Sequence, residues 1–285
     1  MAEPHAAHRL ASTWLAWLAW GAALLVVGTV AWMIGDVIRH GAPALDWRFV
    51  TTRPMDAGRA GGVAPMLVAT LLLLAVCLSV AVPLALATAI FLAEYSSDAG
   101  RLARGVRRSL DALASMPSIV LGLFGNALFG ITLGLGFSIA SGGLTLACMV
   151  LPILIRGGER ALRDVPRDYR AGAAALGLTP AATVLRIVLP AAAPALLGAV
   201  VLSVGRALAE TAALVFTSGY VDRMPTSLLD SGRALSVHIL DLAMNVPGGD
   251  ANAYASALLL MVLLVMINAA AGWLGGRWTP ATTHR

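Results

Sequence analysis

Lysine is absent from this chain: all 20 of its basic residues are arginine. A Gly-Lys-Ser/Thr phosphate loop needs that lysine, and Schiff-base chemistry needs an amine, so neither is available here. Any ATP that serves this chain's task is hydrolysed by another subunit. Charge is scarce too. Only 12% of the 285 residues are charged, about half the ~25% of a soluble domain. Against that, 59% are hydrophobic and the mean hydropathy is +0.82. This composition leaves no room for a large soluble domain and points to a polytopic, all-α membrane protein. Cysteine is limited to Cys77 and Cys148, each inside an apolar run, where they read as small buried hydrophobes. His40 and His238 are isolated, and no Cys/His spacing suits a metal. Neither a cofactor, a metal nor covalent catalysis is expected.

What is abundant is apolar sequence, in six segments. Residues 14–38 are too long for a signal-peptide core and lack a convincing cleavage site, so they read as a retained span. Trp14, Trp17, Trp20 and Trp32 fit the aromatic enrichment of membrane interfaces. Residues 63–93 amount to roughly 46 Å of helix against a ~30 Å hydrocarbon core. That span must tilt, kink at Pro83 or outrun the bilayer. The third is expected over 110–131, with Pro117 near its start and Gly122, Gly125 and Gly130 for close packing. The others are expected over 138–155, 191–218 and 253–274. An N-terminal part, 1–62, thus precedes a five-span core, 63–285.

Six crossings put both termini on one side. The loops after spans two and four, with the two chain ends, hold 13 arginines, whereas loops 39–62 and 219–252 hold 6. The positive-inside bias assigns the richer side, and both termini, to the cytoplasm. The net charge of +5 therefore reports topology rather than nucleic-acid binding. In loop 219–252 an amphipathic run from Leu228 to Met244 could lie on the outer membrane surface or help receive an extracytoplasmic binding protein.

Residues 166–190 read PRDYRAGAAALGLTPAATVLRIVLP. Pro166 can open a short helix and Gly177 can close it in a left-handed turn. Thr179 then supplies an N-cap oxygen, with Pro180 at the first position of a second helix. A DNA-reading helix–turn–helix could look like this locally, but not threaded between two membrane spans. The alternative is an ordinary amphipathic connector. The spacing of Gly177, Ile187, Leu189 and Pro190 resembles the cytoplasmic loop of ABC-importer permeases, with Ala171, Gly172 and Ala173 where that family has Glu-Ala-Ala. The resemblance implies a coupling helix, with Ala171, Gly172, Ala173, Gly177, Leu178 and Thr179 docking on an ATPase subunit.

Arg206 and Glu210 stand four residues apart inside the fifth apolar segment, on one helix face. An arginine at the centre of a membrane helix costs at least ~2.5 kcal/mol on insertion scales. Either the two form an internal ion pair holding spans together, or Arg206 meets an anion with Glu210 as its resting partner. The run Gly205-Arg206-Ala207-Leu208-Ala209-Glu210-Thr211 is similar to one in phosphate-uptake ABC permeases. So are stretches around Pro83, around Pro117-Ser118-Ile119-Val120 and from Arg156 through Glu159 to Pro166. The resemblance, over about residues 60–275, implies a type I importer permease fold and a substrate pathway with Arg206, Glu210, Arg156, Glu159 and Ser118. Arg156 with Glu159 can also be a structural pair. It implies as partners a homologous second permease, two ATP-binding subunits and an extracytoplasmic phosphate-binding protein, in the bacterial inner membrane. A permease for another oxyanion, such as molybdate or phosphonate, is the nearest alternative. A channel or scaffold is more distant, because neither needs an ATPase dock.

Overall fold

The computed structural model describes residues 5–96 and 100–278; both termini, whose side the sequence assigns, lie outside the described residues. The chain is helical almost throughout. Helix α1 (His5–Gly41) leads to a small cap of α2 (Trp47–Thr51) and the antiparallel pair β1 (Pro54–Met55) and β2 (Ala60–Gly61). There follow α3 (Ala64–Ile90), α4 (Arg101–Ser115), α5 (Ser118–Gly125) and α6 (Ile139–Arg163). Short helices α7 (Arg167–Ala175) and α8 (Pro180–Thr183) precede α9 (Leu189–Leu208), and α10 (Ala212–Val215), α11 (Leu235–Asn245) and α12 (Asp250–Trp278) complete the order. Three π-helical segments, Phe91–Tyr95, Asn126–Thr132 and Val184–Val188, prolong α3, prolong α5 and join α8 to α9. Among the described residues, five stretches are long and apolar enough to cross a membrane: Ala16–Ala44, Ala64–Tyr95, Ile139–Arg163, Pro180–Leu208 and Asp250–Trp273. A bent pair, Arg101–Ser115 with Ser118–Thr132, makes a sixth when counted as one span.

Small residues set the centre. A Cβ added at Gly143 would stand 2.6 Å from the Val76 Cβ, and one at Gly158 would stand 3.0 Å from the Ala89 Cβ. Glycine therefore lets α6 lie close along α3, where dispersion between backbones replaces a hydrophobic drive that lipid cannot supply. The pairing order, Gly142 with Leu73 and Gly158 with Ala89, makes the two helices parallel. On its other side α6 meets α9 running the opposite way, Gly157 against Ala199. Cys77 is buried in this core and Cys148 is half-buried; both are free thiols. Helix α3 passes through Pro83 without a break.

Three expectations about the spans are corrected. The third does not begin at 110. Pro117 forces extended backbone on Met116 (φ −71°, ψ 133°), and α4 and α5 meet there at 106°. Both cannot follow the membrane normal, and α4, with four arginines and an aspartate, is the oblique member. The fourth helix runs on past 155 to Arg163, which brings Arg156 and Glu159 into its last two turns. The fifth is not continuous to 218. It stops at Leu208, because the Glu210 carboxylate accepts from the Ala213 N–H (3.3 Å) and so caps α10 instead of extending α9.

The run from Leu228 to Met244 does not form one surface helix. Only Leu235–Asn245 is helical, and Leu235 joins Phe49, Val63, Met66 and Ala255 in a buried cluster under the α2 cap. Helix α1 is held at its far end, where the Tyr254 hydroxyl donates to Asp36 Oδ2 (3.1 Å) and Gly41 abuts the Tyr254 carbonyl. Its tryptophans Trp14, Trp17, Trp20 and Trp32 are exposed.

Candidate functional site

Arg206 sits in the last turn of α9, roughly 24 Å along the helix from Pro190. Its Nη1 lies 3.2 Å from Glu210 Oε2. The two partners differ sharply in exposure: the Glu210 side chain is 3% exposed and that of Arg206 is 46% exposed. Glu210 is fixed three ways. One oxygen caps α10, the other meets Arg206, and its carbonyl accepts from Ser236 Oγ of α11 (2.7 Å). Arg206 instead ends an exposed stripe on α9 through Ala191, Ala195, Gly198 and Leu202. The carboxylate is thus a fixed anchor, and the guanidinium is free to present most of its five donors outward.

Ser118 is the first residue of α5, and Gly122, one turn on, carries that helix against the segment after Glu210. A Cβ at Gly122 would lie 2.7 Å from the Ala213 Cα. Ser118 and Glu210 therefore belong to neighbouring packed segments. An apolar groove of about 340 Å³ opens elsewhere, between α3, α6 and α9, lined by residues such as Leu86, Leu154, Leu189 and Leu196. No charged or hydroxyl side chain lines it, so it cannot hold a small anion.

Arg156 and Glu159 do not pair with each other. Arg156 contacts Asp111 of α4, while Glu159 Oε1 lies 2.8 Å from Arg107 Nη2 and 3.0 Å from Arg163 Nη2. Two crossed ion pairs therefore clamp the oblique helix α4 to α6. Since Gly157 abuts Ala199, seven residues before Arg206, this cluster lies roughly 10 Å nearer the arginine-rich end than Arg206. The structure brings Arg156 and Glu159 together with α4, not with Arg206.

The two short helices of residues 166–190 form as their residues dictate. Pro166 precedes α7, Gly177 turns with φ +74°, and Thr179 Oγ1 accepts from the Ala182 N–H (3.3 Å). Ala171 and Gly172 are exposed, Ala173 is buried and Leu178 is half-buried. The large apolar side chain that this tip presents is Leu176, 82% exposed. Sequence reasoning missed the tether. Arg170 Nε and Nη2 donate to the two oxygens of Glu94 at the end of α3, while its Nη1 and Nη2 also donate to the Val165 and Leu162 carbonyls (2.8 and 2.9 Å). Those bonds to Glu94 push the Arg170 pKa up, so the guanidinium stays charged. The only sequence signal was a lone acid closing an apolar run.

At the opposite end a second polar knot holds the cap. Arg233 Nη1 lies 2.9 Å from Asp241 Oδ2, its Nε donates to the Tyr220 carbonyl, and its guanidinium lies over the Tyr220 ring. His238 beside it is 1% exposed, with Nε2 lacking a partner among the described residues. Burial, reinforced by Arg233, lowers its pKa to about 4. Among the described residues no group of three His, Cys, Asp or Glu could hold a metal.

The family model for the binding-protein-dependent transport system inner membrane component matches residues 81–280. The chain is 28% identical over 268 residues to the probable ABC transporter permease protein YqgI of Bacillus subtilis, covering 89% of this chain and 91% of that one. It is 33% identical over 248 residues to the phosphate transport system permease protein PstA 1 of Mycobacterium tuberculosis, covering 85% and 81%. Among solved structures, an inward-facing MetNI methionine ABC transporter chain superposes with a TM-score of 0.57 at 19% identity, covering 77% of this chain and 95% of that one. A chain of a bacterial ABC transporter involved in alginate import gives 0.56 at 15% identity, covering 92% and 96%.

Proposed function

The chain belongs to the family of binding-protein-dependent transport system inner membrane components, a multi-pass transport subunit and not an enzyme, and from that premise we propose that it carries inorganic phosphate through an ATP-driven importer. The observation that carries the substrate reading is the Arg206–Glu210 pair. A guanidinium 46% exposed at membrane depth is costly against lipid, so it belongs against an aqueous path or another subunit. Phosphate is a small anion with up to four oxygens, and the planar guanidinium fork matches two of them at once. In the empty state Glu210 neutralises Arg206. When phosphate arrives, it exchanges with a carboxylate that cannot follow, because Glu210 is fixed by Ala213 and Ser236. The relatives named as phosphate permeases, at 32–33% identity over most of the chain, support the same substrate.

The rest of the assembly follows in the same reading. The arginine-rich end is cytoplasmic, with both termini on that side. A homologous second permease covers the exposed stripe of α9, one of two ATP-binding subunits takes the α7–α8 tip of this chain and the other takes that of the second permease, and an extracytoplasmic phosphate-binding protein delivers to the capped end. ATP-driven closure of the ATPase pair moves α7, and α3, α6 and α9 rock to open the path outward.

Labelled-phosphate uptake at low external concentration tests this, with membrane abundance checked for every variant. Arg206→Ala loses uptake, and Arg206→Lys loses much of it, because the charge remains but the fork is gone. The double variant Arg206→Gln with Glu210→Gln, which removes both charges but keeps an oxygen for the Ala213 N–H, stays inactive, whereas a merely structural ion pair tolerates this joint neutralisation. Full uptake by Arg206→Ala in an assembled complex would end the proposal.

A further inference from the structure

Helix α4 is amphipathic in a way that its role in the permease core does not use. Ala103 and Leu110 are buried and Val106 and Leu113 half-buried against that core. Arg107 and Asp111 are spent on α6. Arg101, Arg104 and Arg108 recur at helical spacing on the opposite side, all exposed, and have no ion-pair partner among the described residues. Leu102, 67% exposed, lies between that face and the buried side. The helix is oblique, since it meets α5 at 106°.

We propose that the Arg101, Arg104 and Arg108 face of α4 binds anionic phospholipid headgroups of the leaflet at the arginine-rich end. Charge complementarity carries the choice of occupant. Three guanidiniums without ion-pair partners on an oblique helix meet phosphodiesters at the bilayer surface, while the apolar side of α4 stays on the permease core and only Leu102 is left to reach the acyl region. Guanidinium offers phosphodiester oxygens the same fork that it offers any phosphate. The contact reaches the permease core. Arg107–Glu159 and Asp111–Arg156 fasten α4 to α6, and only Met116 and Pro117 separate it from α5, so headgroups that hold α4 also hold the start of α5. The assignment of leaflet rests on the proposed orientation; the binding itself does not depend on what is transported.

The test uses the assembled transporter in phosphatidylcholine vesicles, with a fluorophore on Ala112→Cys, an exposed position of α4. Cys77 is buried, and the unmutated background corrects for any labelling of Cys148. Nitroxide-bearing phosphatidylglycerol is compared with nitroxide-bearing phosphatidylcholine as quencher. The expected result is a preference for phosphatidylglycerol of at least roughly five-fold, the factor for one basic residue near an anionic surface. It falls as salt is raised. It disappears in the triple variant R101Q/R104Q/R108Q and survives in the triple lysine variant, which keeps the charge and shows that loss in the first is not misfolding. Inorganic phosphate leaves it unchanged relative to sodium chloride at equal ionic strength. Equal quenching by the two lipids overturns the proposal, as does a preference that persists in the glutamine variant. Displacement by phosphate beyond its ionic strength would make the face an anion site instead. A preference absent from the assembled transporter and present only after the ATPase subunits are stripped off would make it a protein interface. Either of these results also overturns the lipid assignment.

Discussion

Replacing Arg170 with alanine removes the group that ties α7 to two membrane helices. Arg170 makes four hydrogen bonds, two to Glu94 and two to the Val165 and Leu162 carbonyls. Removing one partner of a fully buried pair costs about 3–5 kcal/mol, and an exposed pair contributes about 0–1 kcal/mol. Here the side chains are 27% and 12% exposed, so the loss falls between, at about 2–3 kcal/mol. Opening of α7 from the bundle then becomes roughly 30- to 150-fold more frequent. Amide hydrogen exchange of the purified protein reads this directly: residues 167–176 exchange faster by that factor, with α6 above Glu159 unchanged. Glu94→Ala has a smaller effect, because Arg170 keeps both carbonyl bonds. Arg170→Lys falls between them, because one ammonium cannot reproduce the fork. If exchange over 167–176 stays within two-fold of the parent in both Arg170→Ala and Glu94→Ala, the tether does not hold the element.

Other outcomes follow from single contacts. Gly122→Val places side-chain carbon where the Ala213 backbone stands 2.7 Å from an added Cβ, so it lowers thermal stability in detergent by about 1–3 kcal/mol and reduces uptake. Gly177 has φ +74° with open space around it. Gly177→Val therefore strains only the turn, by about 1–2 kcal/mol, and uncouples ATP hydrolysis from uptake, whereas Gly177→Asn retains coupling. His238 has a folded-state pKa of about 4, below its ordinary value of ~6.5. The unfolded chain binds the proton first, so stability is full above about pH 6.5 and drops as pH falls toward 4. At pH 5 the loss is about 2 kcal/mol, and His238→Leu flattens the pH dependence of the melting temperature. A cysteine at Thr179 is shielded from an impermeant thiol reagent in intact cells, while one at Thr52 reacts; labelling at Thr179 would overturn the assigned orientation.

The α7–turn–α8 geometry was legible because its determinants are local. A proline, a left-handed glycine, a threonine cap and a second proline specify two helices and a turn without help from the rest of the chain. The spans were legible because hydropathy over about 20 residues survives any packing. Their breaks were not. Hydropathy hardly distinguishes the last turns of α4, Leu110–Ser115, from a span start, and the stop at Leu208 depends on which backbone amide the Glu210 carboxylate captures. The pairings were least visible. Arg156 and Glu159 have the spacing of an i, i+3 pair, yet both reach across to α4. Arg170 finds Glu94 at 76 residues' separation. Such partners are chosen by how helices stack, and one sequence carries no record of that distance.

The four bonds of Arg170 fix how force enters this subunit. A displacement of α7 is delivered in parallel to α3, through Glu94, and to α6, through its terminal carbonyls. Glycine faces lock those two helices together along their length, so they respond as one stiff beam. Helix α9 is reached in series instead, through the Gly177 turn, α8 and the π segment Val184–Val188. On the proposed coupling, the stiff route would move first and the compliant route would lag. Shear would then concentrate along the α6–α9 seam, where Gly157 abuts Ala199, and Arg206 at the far end of α9 would be the last point to receive the displacement.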